Sequence, residues 1–400
     1  MNRAQASSIV LILIVILSSN LGFGAPGATG SWEVYYYRLK VVFTNNGSSD
    51  YSFSLEDKLF LIFQNTSIQQ SCILEVNPRI KTVHRDVDGN LWAELDLPEK
   101  ISPGENVIVN IIVKVNLTRR SLPEISIESS GSIFEIPMEL ANYTASSGAW
   151  AYDSINLNYI AELAAQVKGN DTNVLRIVSN MVRFIGERVE YPYGEELRPP
   201  QYPNQTLPSP GLRGKGDCDD QSALLITMLR SVGIPSYLQT GGIVSKDYST
   251  VGSTWNGHLY ISSKGIGWHG WVEVYVPPWG WLPVDMTYGY SSSEPLYSIS
   301  RSASARELVL ESEKYSNIDF IAETRRIEEK VKNSDIYIYL EEEVSKVFPS
   351  VDHEAIGFLA LLMLVFAASL LALLILRLFK EMERKKQKAK HSTLFDDSNC

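Results

Sequence analysis

A cysteine, a histidine and an aspartate that together could perform nucleophilic catalysis occur in order in the second half of the chain. Cys218 lies in the run Gly216-Asp217-Cys218-Asp219-Asp220, and His269 and Asp285 follow further along. A thiolate can attack a carbonyl carbon, an imidazole can move the proton, and a carboxylate can orient the imidazole. These residue types therefore predict a nucleophilic site centred on Cys218.

The residues around Cys218 predict that it begins a helix. Asp217 is a good N-cap, and an apolar stripe follows before Gly233 and Pro235 end the pattern. Unpaired N–H groups and the helix dipole favour a thiolate there by roughly 0.3–1 kcal/mol. The three flanking aspartates oppose this effect, so a nearby imidazolium must supply the larger stabilisation. The stripe consists of Leu224, Leu225, Met228, Leu229 and Val232.

His269 and Asp285 can meet if the chain between them forms a hairpin. Pro277 is the midpoint of the two residues, and it begins the turn-like run Pro277-Pro278-Trp279-Gly280. A hairpin centred on Pro277 places His269 and Asp285 opposite each other on the same face. A centre between residues 278 and 279 would put them on opposite faces. His258 is the weaker alternative, because no carboxylate lies at a matching distance from it.

Tryptophan is concentrated in the same region. Most of these side chains are expected to pack in the core and the hairpin. Trp255 and Trp268 are the candidates for a substrate-binding wall that excludes water from the thiolate. The five tryptophans are Trp255, Trp268, Trp271, Trp279 and Trp281.

These runs resemble the transglutaminase-like superfamily over roughly residues 150–290. The run that begins at Gly216 and continues through Leu229-Arg230-Ser231-Val232-Gly233-Ile234-Pro235 resembles the cysteine block. His269-Gly270-Trp271-Val272-Glu273-Val274-Tyr275 resembles the histidine block, and Gly280-Trp281-Leu282-Pro283-Val284-Asp285 the aspartate block. Gly270 departs from the pattern, since alanine is frequent at that position.

The resemblance implies an α+β, papain-like transglutaminase core and a thioester mechanism. Cys218 would attack an amide carbonyl, His269 would carry the proton, and Asp285 would orient the imidazole. The backbone N–H of Cys218 would be one oxyanion donor, and the second donor is not identifiable. The thioester would pass to an amine or to water, so acyl transfer and peptide hydrolysis both stay open. The superfamily's chemistry implies a protein or peptide substrate and no cofactor.

Composition excludes several other classes of function. The 400 residues include 46 acidic and 36 basic side chains, with a net charge of −10, which argues against a nucleic-acid partner. The three cysteines are far apart, and no zinc-type pair of cysteines is present. We therefore expect no metal site. Cys72, in a strand-like run, is expected to be a small buried residue.

Two segments predict contact with a membrane. Residues 1–24 hold nine apolar residues from Ile9 to Leu17 after one basic residue, which is typical of a signal peptide. Residues 355–376 carry no charge and are long enough to form a transmembrane helix. The basic segment 377–400 predicts a cytoplasmic tail. The chain is therefore expected to be a single-pass membrane protein of the cell surface with its catalytic part outside the cytoplasm.

Sequons for N-glycosylation support an exported body, because all of them precede the predicted span. Each is a weak signal alone, since the motif is short. The candidate asparagines are Asn46, Asn65, Asn116, Asn142, Asn170 and Asn204.

The exported part of the chain is divided into regions that differ in their pattern of apolar, polar and charged residues. Residues 28–135 contain short β-branched runs between turn signals, including a hairpin around Asp88-Gly89-Asn90, and predict an all-β, sandwich-like domain. Residues 145–290 contain helical stripes and the cysteine region, and predict the catalytic domain. Residues 291–354, rich in serine and then in charge, predict a juxtamembrane stalk that could close back on the sandwich. A proline-rich stretch, residues 191–210, predicts a surface loop beside the active site.

Two functions of different class fit the sequence. The first is a surface enzyme that forms a cysteinyl thioester with protein or peptide amides. The alternative is a non-catalytic scaffold or binding module that has kept the fold. The sequence leaves the oligomeric state undetermined.

Overall fold

The computed structural model describes residues 31–193, 198–209 and 211–346. The predicted signal peptide, span and cytoplasmic tail lie outside these residues. Within the described residues, no helix combines the length and the apolar character needed to cross a membrane.

The chain forms strands first, then helices, then strands again. The strands are β1 (Glu33–Asn45), β2 (Tyr51–Ser52), β3 (Leu59–Ile62), β4 (Gln69–Asn77), β5 (Ile80–Arg85), β6 (Leu91–Leu95), β7 (Lys100–Ile101), β8 (Asn106–Leu117), β9 (Val189–Glu190), β10 (Gly214–Lys215), β11 (Ser236–Thr254), β12 (Leu259–Val276), β13 (Gly280–Val284), β14 (Val309–Tyr315) and β15 (Ile336–Lys346). The helices are α1 (Asn158–Lys168), α2 (Val174–Gly186), α3 (Pro203–Thr206), α4 (Cys218–Ser231), α5 (Tyr297–Ser300), α6 (Ala303–Arg306) and α7 (Phe320–Lys332).

One eight-stranded sheet connects the N-terminal strands to the region of the predicted catalytic residues. Its order is β14-β11-β12-β15-β1-β8-β4, and β13 pairs with β12 beside this path. The pair β12–β15 is parallel, whereas the other pairs in the sheet are antiparallel. Strands from both predicted domains therefore share a single mixed sheet.

The N-terminal region is rich in sheet, as its β-branched runs predict. β5 and β6 form the hairpin expected around Asp88-Gly89-Asn90, since Arg85 pairs with Leu91. With β3 they make a three-stranded sheet. Apolar residues of both sheets, such as Val41 and Leu95, share one buried core. Two sheets therefore pack face to face in this region, and the large one continues beyond it through β15, β12 and β11.

Helices α1, α2 and α4 form a second core with the N-terminal part of β11 and the C-terminal part of β12. Asn173 caps α2, because its side chain accepts a hydrogen bond from the N–H of Arg176. Every residue of α4 from Asp220 to Arg230 is buried. α4 is thus a central helix, and burial of each large apolar side chain contributes about 1.5–3 kcal/mol.

The segment after residue 290 is built into this fold. β14 pairs with β11, and β15 pairs with both β1 and β12. Between them, α7 buries Phe320, Ile321 and Val331. These apolar residues are dispersed among charges, so the sequence favours a solvated helix. Residues 309–346 of the predicted stalk are therefore strands and a helix of the main body.

The expectation that Cys72 is buried is wrong. Cys72 is an exposed free thiol on β4, the last strand in the order of the large sheet. Its face of this strand points towards solvent, while its neighbour Ile73 is partly buried. A strand-like run does not by itself say which residues face the core, because a shift of one residue exchanges the two faces.

The buried guanidinium of Arg230 joins the end of α4 to three other segments. It donates hydrogen bonds to the carbonyl oxygens of Ser236, Ala145 and Ser316 at 2.7–3.1 Å. It also lies over the ring of Trp150, 4.8 Å from the centroid. Burial lowers the pKa of Arg230 to about 9. The planar guanidinium satisfies carbonyls that would otherwise be buried without a donor.

We expect Arg230→Ala to lower the free energy of unfolding by on the order of 3 kcal/mol, because three buried carbonyls lose their donor. Urea denaturation measures this loss. Arg79→Ala is the control, since the Arg79 side chain is 85% exposed in its ion pair with Asp96. Its effect should be within about 0.5 kcal/mol. Equal effects of the two substitutions would contradict the structural role of Arg230.

Candidate active site

The structure places Cys218 at the first residue of α4, as predicted, with Asp217 as N-cap. The carboxylate of Asp220 accepts a hydrogen bond from the backbone N–H of Asp217 at 3.3 Å. This bond closes the first turn of the helix. The Cys218 thiol is free and partly exposed at the start of a buried helix.

Two of the three aspartates around Cys218 carry less negative charge than the sequence suggests. Burial, a hydrogen bond with Asp217 and the neighbouring charge of Cys218 raise the pKa of Asp219 well above its ordinary value. Burial and the charge of Asp217 raise the pKa of Asp220 to about 7. The carboxylates therefore oppose a thiolate at Cys218 less than three full charges would.

His269 lies on β12 where one edge of the strand is open. On that edge β15 pairs with Leu259–Lys264 and β13 pairs with Val272–Val276, so neither ladder includes His269. On the other edge β11 continues past His269, which pairs with Gly241. The interruption leaves room for other groups to reach the imidazole.

The hairpin between β12 and β13 differs from the prediction by one residue. Val276 pairs with Gly280, so the turn is centred on Pro278 and not on Pro277. A shift of one residue in the centre moves the register by two residues, which keeps each side chain on its face. Asp285 is consequently level with Trp271, and it reaches His269 along a diagonal rather than directly across the ladder.

The imidazole of His269 donates through Nε2 to Oδ2 of Asp285, and the two atoms are 2.8 Å apart. Asp285 is completely buried. Its oxygens also accept hydrogen bonds from the backbone N–H groups of Thr287, Tyr288 and Ala303 at 3.0–3.2 Å. These donors fix the carboxylate, and the carboxylate in turn fixes the orientation of the imidazole.

This arrangement leaves Nδ1 of His269 for Cys218. Burial lowers the pKa of His269, but the charge and hydrogen bond of Asp285, followed by those of Cys218, raise it to about 10. Burial also raises the pKa of Asp285, but His269 and the backbone donors hold it below its ordinary value of 3.8. At neutral pH the pair is therefore an imidazolium and a carboxylate. An imidazolium beside Cys218 favours the thiolate.

Cys218 and His269 open into a cleft of about 290 Å³. Trp268 lines this cleft, whereas Trp255 is not among its lining residues and occupies a short turn between β11 and β12. Sequence reasoning missed several other lining residues, because strand pairing brings them from distant segments. These are Leu238, Thr240, Ser312, Glu313, Tyr315, Phe320 and Thr324.

Part of the proline-rich stretch, residues 198–201, borders the cleft, as predicted, and is called the strap below. Pro200 lines the cleft and its carbonyl oxygen accepts a hydrogen bond from Arg325 of α7 at 2.9 Å. The buried carboxylate of Asp220 accepts hydrogen bonds from Arg198 and from the backbone N–H of Gln201. Asp220 therefore anchors the strap to the first turn of the cysteine helix.

His258, the alternative histidine, lies away from the cleft. Its Nδ1 is 2.8 Å from the carbonyl oxygen of Ile336, and its ring stacks on Tyr337. These contacts hold the end of β12 against β15.

One group of carboxylates has the spacing of metal ligands. Oxygens of Asp217, Asp219 and Asp220 lie within 4.8 Å of one another. Asp220 is already bonded to Arg198 and Gln201, and Asp219 shares a hydrogen bond with Asp217. The cluster thus has a structural explanation in the first turn of α4 and the strap.

Comparison with known proteins identifies the core that carries this site. Residues 161–286, which include Cys218, His269 and Asp285, match the family described as the transglutaminase-like superfamily. This part of the chain is therefore a transglutaminase-like core. Uncharacterized protein YebA of Bacillus subtilis is 32% identical over 114 residues, which are 28% of this chain and 14% of that protein. The similarity thus spans a small part of the relative.

Several solved structures match the chain over much of its length and share little sequence with it. A provisionally assigned cysteine protease from Cytophaga hutchinsonii has a TM-score of 0.47 at 13% identity, over 80% of this chain and 92% of that one. The periplasmic domain of TgpA from Pseudomonas aeruginosa has a TM-score of 0.28 at 17% identity, over 70% and 81%. Red sea bream transglutaminase has a TM-score of 0.28 at 11% identity, over 66% and 52%.

The bond between His269 and Asp285 predicts a pH-dependent contribution to stability. The raised pKa of His269 means that its contribution is complete below 6.5 and is lost as the pH rises through about 10. The lowered pKa of Asp285 means that its contribution is present above 3.8. The difference in unfolding free energy between the wild type and Asp285→Asn should therefore be largest from pH 3.8, above which the Asp285 contribution is present, to pH 6.5, below which the His269 contribution is complete.

Urea denaturation of both proteins from about pH 5 to about pH 10 measures this difference. Asp247→Asn is the control, since Asp247 is exposed on β11. The control should differ from the wild type by the same small amount throughout. A difference for Asp285→Asn that does not decline with rising pH would refute the charged pair.

Proposed function

We propose that the protein is a cysteine-nucleophile enzyme that acts on protein or peptide amides through a thioester. The observation that supports this most strongly is the chain of contacts from Cys218 through His269 to Asp285 at an open cleft. The transglutaminase-like core makes the same reaction class the leading expectation. Cys218, His269 and Asp285 are the proposed catalytic residues, and Trp268 is a proposed substrate-binding residue.

The proposed reaction begins when the Cys218 thiolate attacks the amide carbonyl and forms a carbon–sulfur bond. The backbone N–H of Cys218, at the start of α4, is the proposed donor to the resulting oxyanion. The carbon–nitrogen bond then breaks, and Nδ1–H of His269 gives its proton to the departing amine. Asp285 keeps Nε2 engaged throughout, so the imidazole does not rotate away.

The second half of the proposed reaction releases the acyl group. The now neutral imidazole of His269 takes a proton from water or from an amine, whose oxygen or nitrogen attacks the thioester carbon. The carbon–sulfur bond breaks and the Cys218 thiolate is restored. Water gives hydrolysis, whereas an amine gives transfer, and the choice depends on which acceptor reaches the cleft.

We further propose that the enzyme is anchored in the cell membrane with its catalytic part outside the cytoplasm. The signal-like segment 1–24 and the uncharged segment 355–376 support this location, and the bilayer would be the partner of the latter. Candidate glycosylation sites Asn46, Asn65, Asn142 and Asn170 are exposed, whereas Asn116 and Asn204 are partly buried. The exposed sites are the better proposed acceptors of glycan.

Incubation with a glutamine-containing peptide and a tagged primary amine tests the activity. Mass spectrometry of the products distinguishes amine transfer, deamidation and cleavage of the peptide. We expect one of these products from the wild type and none from Cys218→Ala. Cys72→Ser is the matched control, since it removes an exposed cysteine that is remote in sequence from the proposed site.

Product from Cys218→Ala at the wild-type rate would exclude the proposed nucleophile. A library of peptides extends the test beyond one sequence. Absence of product from the wild type across that library, together with no covalent capture of Cys218 by an amide-like electrophile, would favour the non-catalytic scaffold.

A further inference from the structure

A second cavity of about 340 Å³ adjoins the active-site cleft. The two cavities share two wall residues, Trp268 and Glu313. Beyond these residues the second cavity runs between the large sheet and the three-stranded sheet. Its walls there are mainly apolar and include Leu61, Phe63 and Val113.

Glu342 brings a carboxylate into this apolar cavity. It is buried on β15, on the face where Ile336 and Val344 are core residues. Its oxygens accept hydrogen bonds from the phenol of Tyr37 at 3.0 Å, from the indole of Trp268 at 2.6 Å and from the hydroxyl of Ser263. A glutamate at a core position, held by three neutral donors, breaks the pattern of its strand. Such a departure often marks a functional site.

Glu313 supplies a second carboxylate from β14. It accepts a hydrogen bond from the hydroxyl of Thr240 at 3.1 Å, and Ser312 and Tyr315 also contribute hydrogen bonds. Burial outweighs these bonds and raises the pKa of Glu313. Burial and the charges of both Glu342 and Glu313 raise the pKa of Tyr37 well above its ordinary value. The carboxylates of Glu313 and Glu342 are thus both close enough to Tyr37 to affect its pKa.

Neither carboxylate has a cationic partner in the part of the chain that the structure describes. No lysine, arginine or histidine there forms an ion pair with Glu313 or Glu342. The buried carboxylate of Glu273, in contrast, pairs with Arg120. Glu342 is buried and Glu313 is partly buried. Burial of a carboxylate without a counter-charge is costly, so both side chains would gain from a cation that enters the cavity.

We propose that this second cavity is a subsite for a substrate side chain that has an aliphatic stem and ends in an ammonium group, as lysine does. The inference rests on the proposed function, since the substrate must extend from Cys218 past Trp268. The stem would lie along the apolar wall, and the ammonium would lie between Glu313 and Glu342.

Calorimetry with acetyl-alanyl-lysyl-alanine amide tests this subsite on the Cys218→Ala protein, which binds without turnover. The matched ligand has norleucine in place of lysine, so that it keeps the stem and lacks the ammonium. We expect the lysine peptide to bind at least about tenfold more tightly. Equal binding, or tighter binding of the norleucine peptide, would overturn the proposal.

Substitutions then test whether Glu313 and Glu342 cause the preference for the lysine peptide. Glu313→Gln and Glu342→Gln, each added to Cys218→Ala, should reduce it to less than about threefold. Glu341→Gln is the control, because Glu341 is an exposed neighbour on the opposite face of β15. Thermal unfolding shows whether each variant folds. If Glu342→Gln does not fold, Glu313→Gln on β14 still tests whether a carboxylate causes the preference. A preference that survives Glu313→Gln would overturn the assignment.

The binding result and the proposed activity can fail separately. A preference for lysine in a protein that forms no thioester would support the proposed subsite and contradict the proposed enzyme activity. Formation of a thioester at Cys218 together with equal binding of both peptides would support the proposed enzyme activity and contradict the proposed subsite.

Discussion

The buried hydrogen bond between His269 and Asp285 is the interaction on which the rest of the site depends. Asp285 stays charged inside the protein because an imidazolium and three backbone N–H groups surround it. That charge outweighs the effect of burial on His269 and keeps the ring protonated. The ring in turn favours the thiolate of Cys218, which the helix end alone does too weakly. Removal of the carboxylate would therefore affect all three groups.

Local chemistry allowed much of this site to be predicted from the sequence. Asp217, the apolar stripe and Gly233 define a helix that begins at Cys218, because caps and periodicity act over a few residues. Whether His269 and Asp285 lie on the same face of the hairpin also depends on local sequence, namely on where the turn between them is centred. The predicted centre differs from the observed one by one residue, so His269 and Asp285 are not directly opposite each other. They still make contact, because a register shift of two residues keeps both on the same face.

Long-range pairing explains what could not be predicted. β14 and α7 supply Glu313 and Phe320 to the cleft, although both lie in a segment whose serine and charge content favours a stalk. Glu342 appears in sequence as one of three consecutive glutamates, and only the pairing of β15 with β1 and β12 turns it inward. The cleft therefore depends on strand order, which one sequence does not specify.

The rate of alkylation of Cys218 by iodoacetamide as a function of pH tests the central claim most directly, with labelled peptides separated by mass. Exposed Cys72 in the same molecule corrects for reagent and time. An imidazolium beside Cys218 that persists to about pH 10 predicts that alkylation of Cys218 depends less steeply on pH in the wild type than in His269→Ala. His269→Ala should restore the tenfold rise per pH unit that an ordinary thiol shows below about 8.5. The same rise in the wild type would contradict the account.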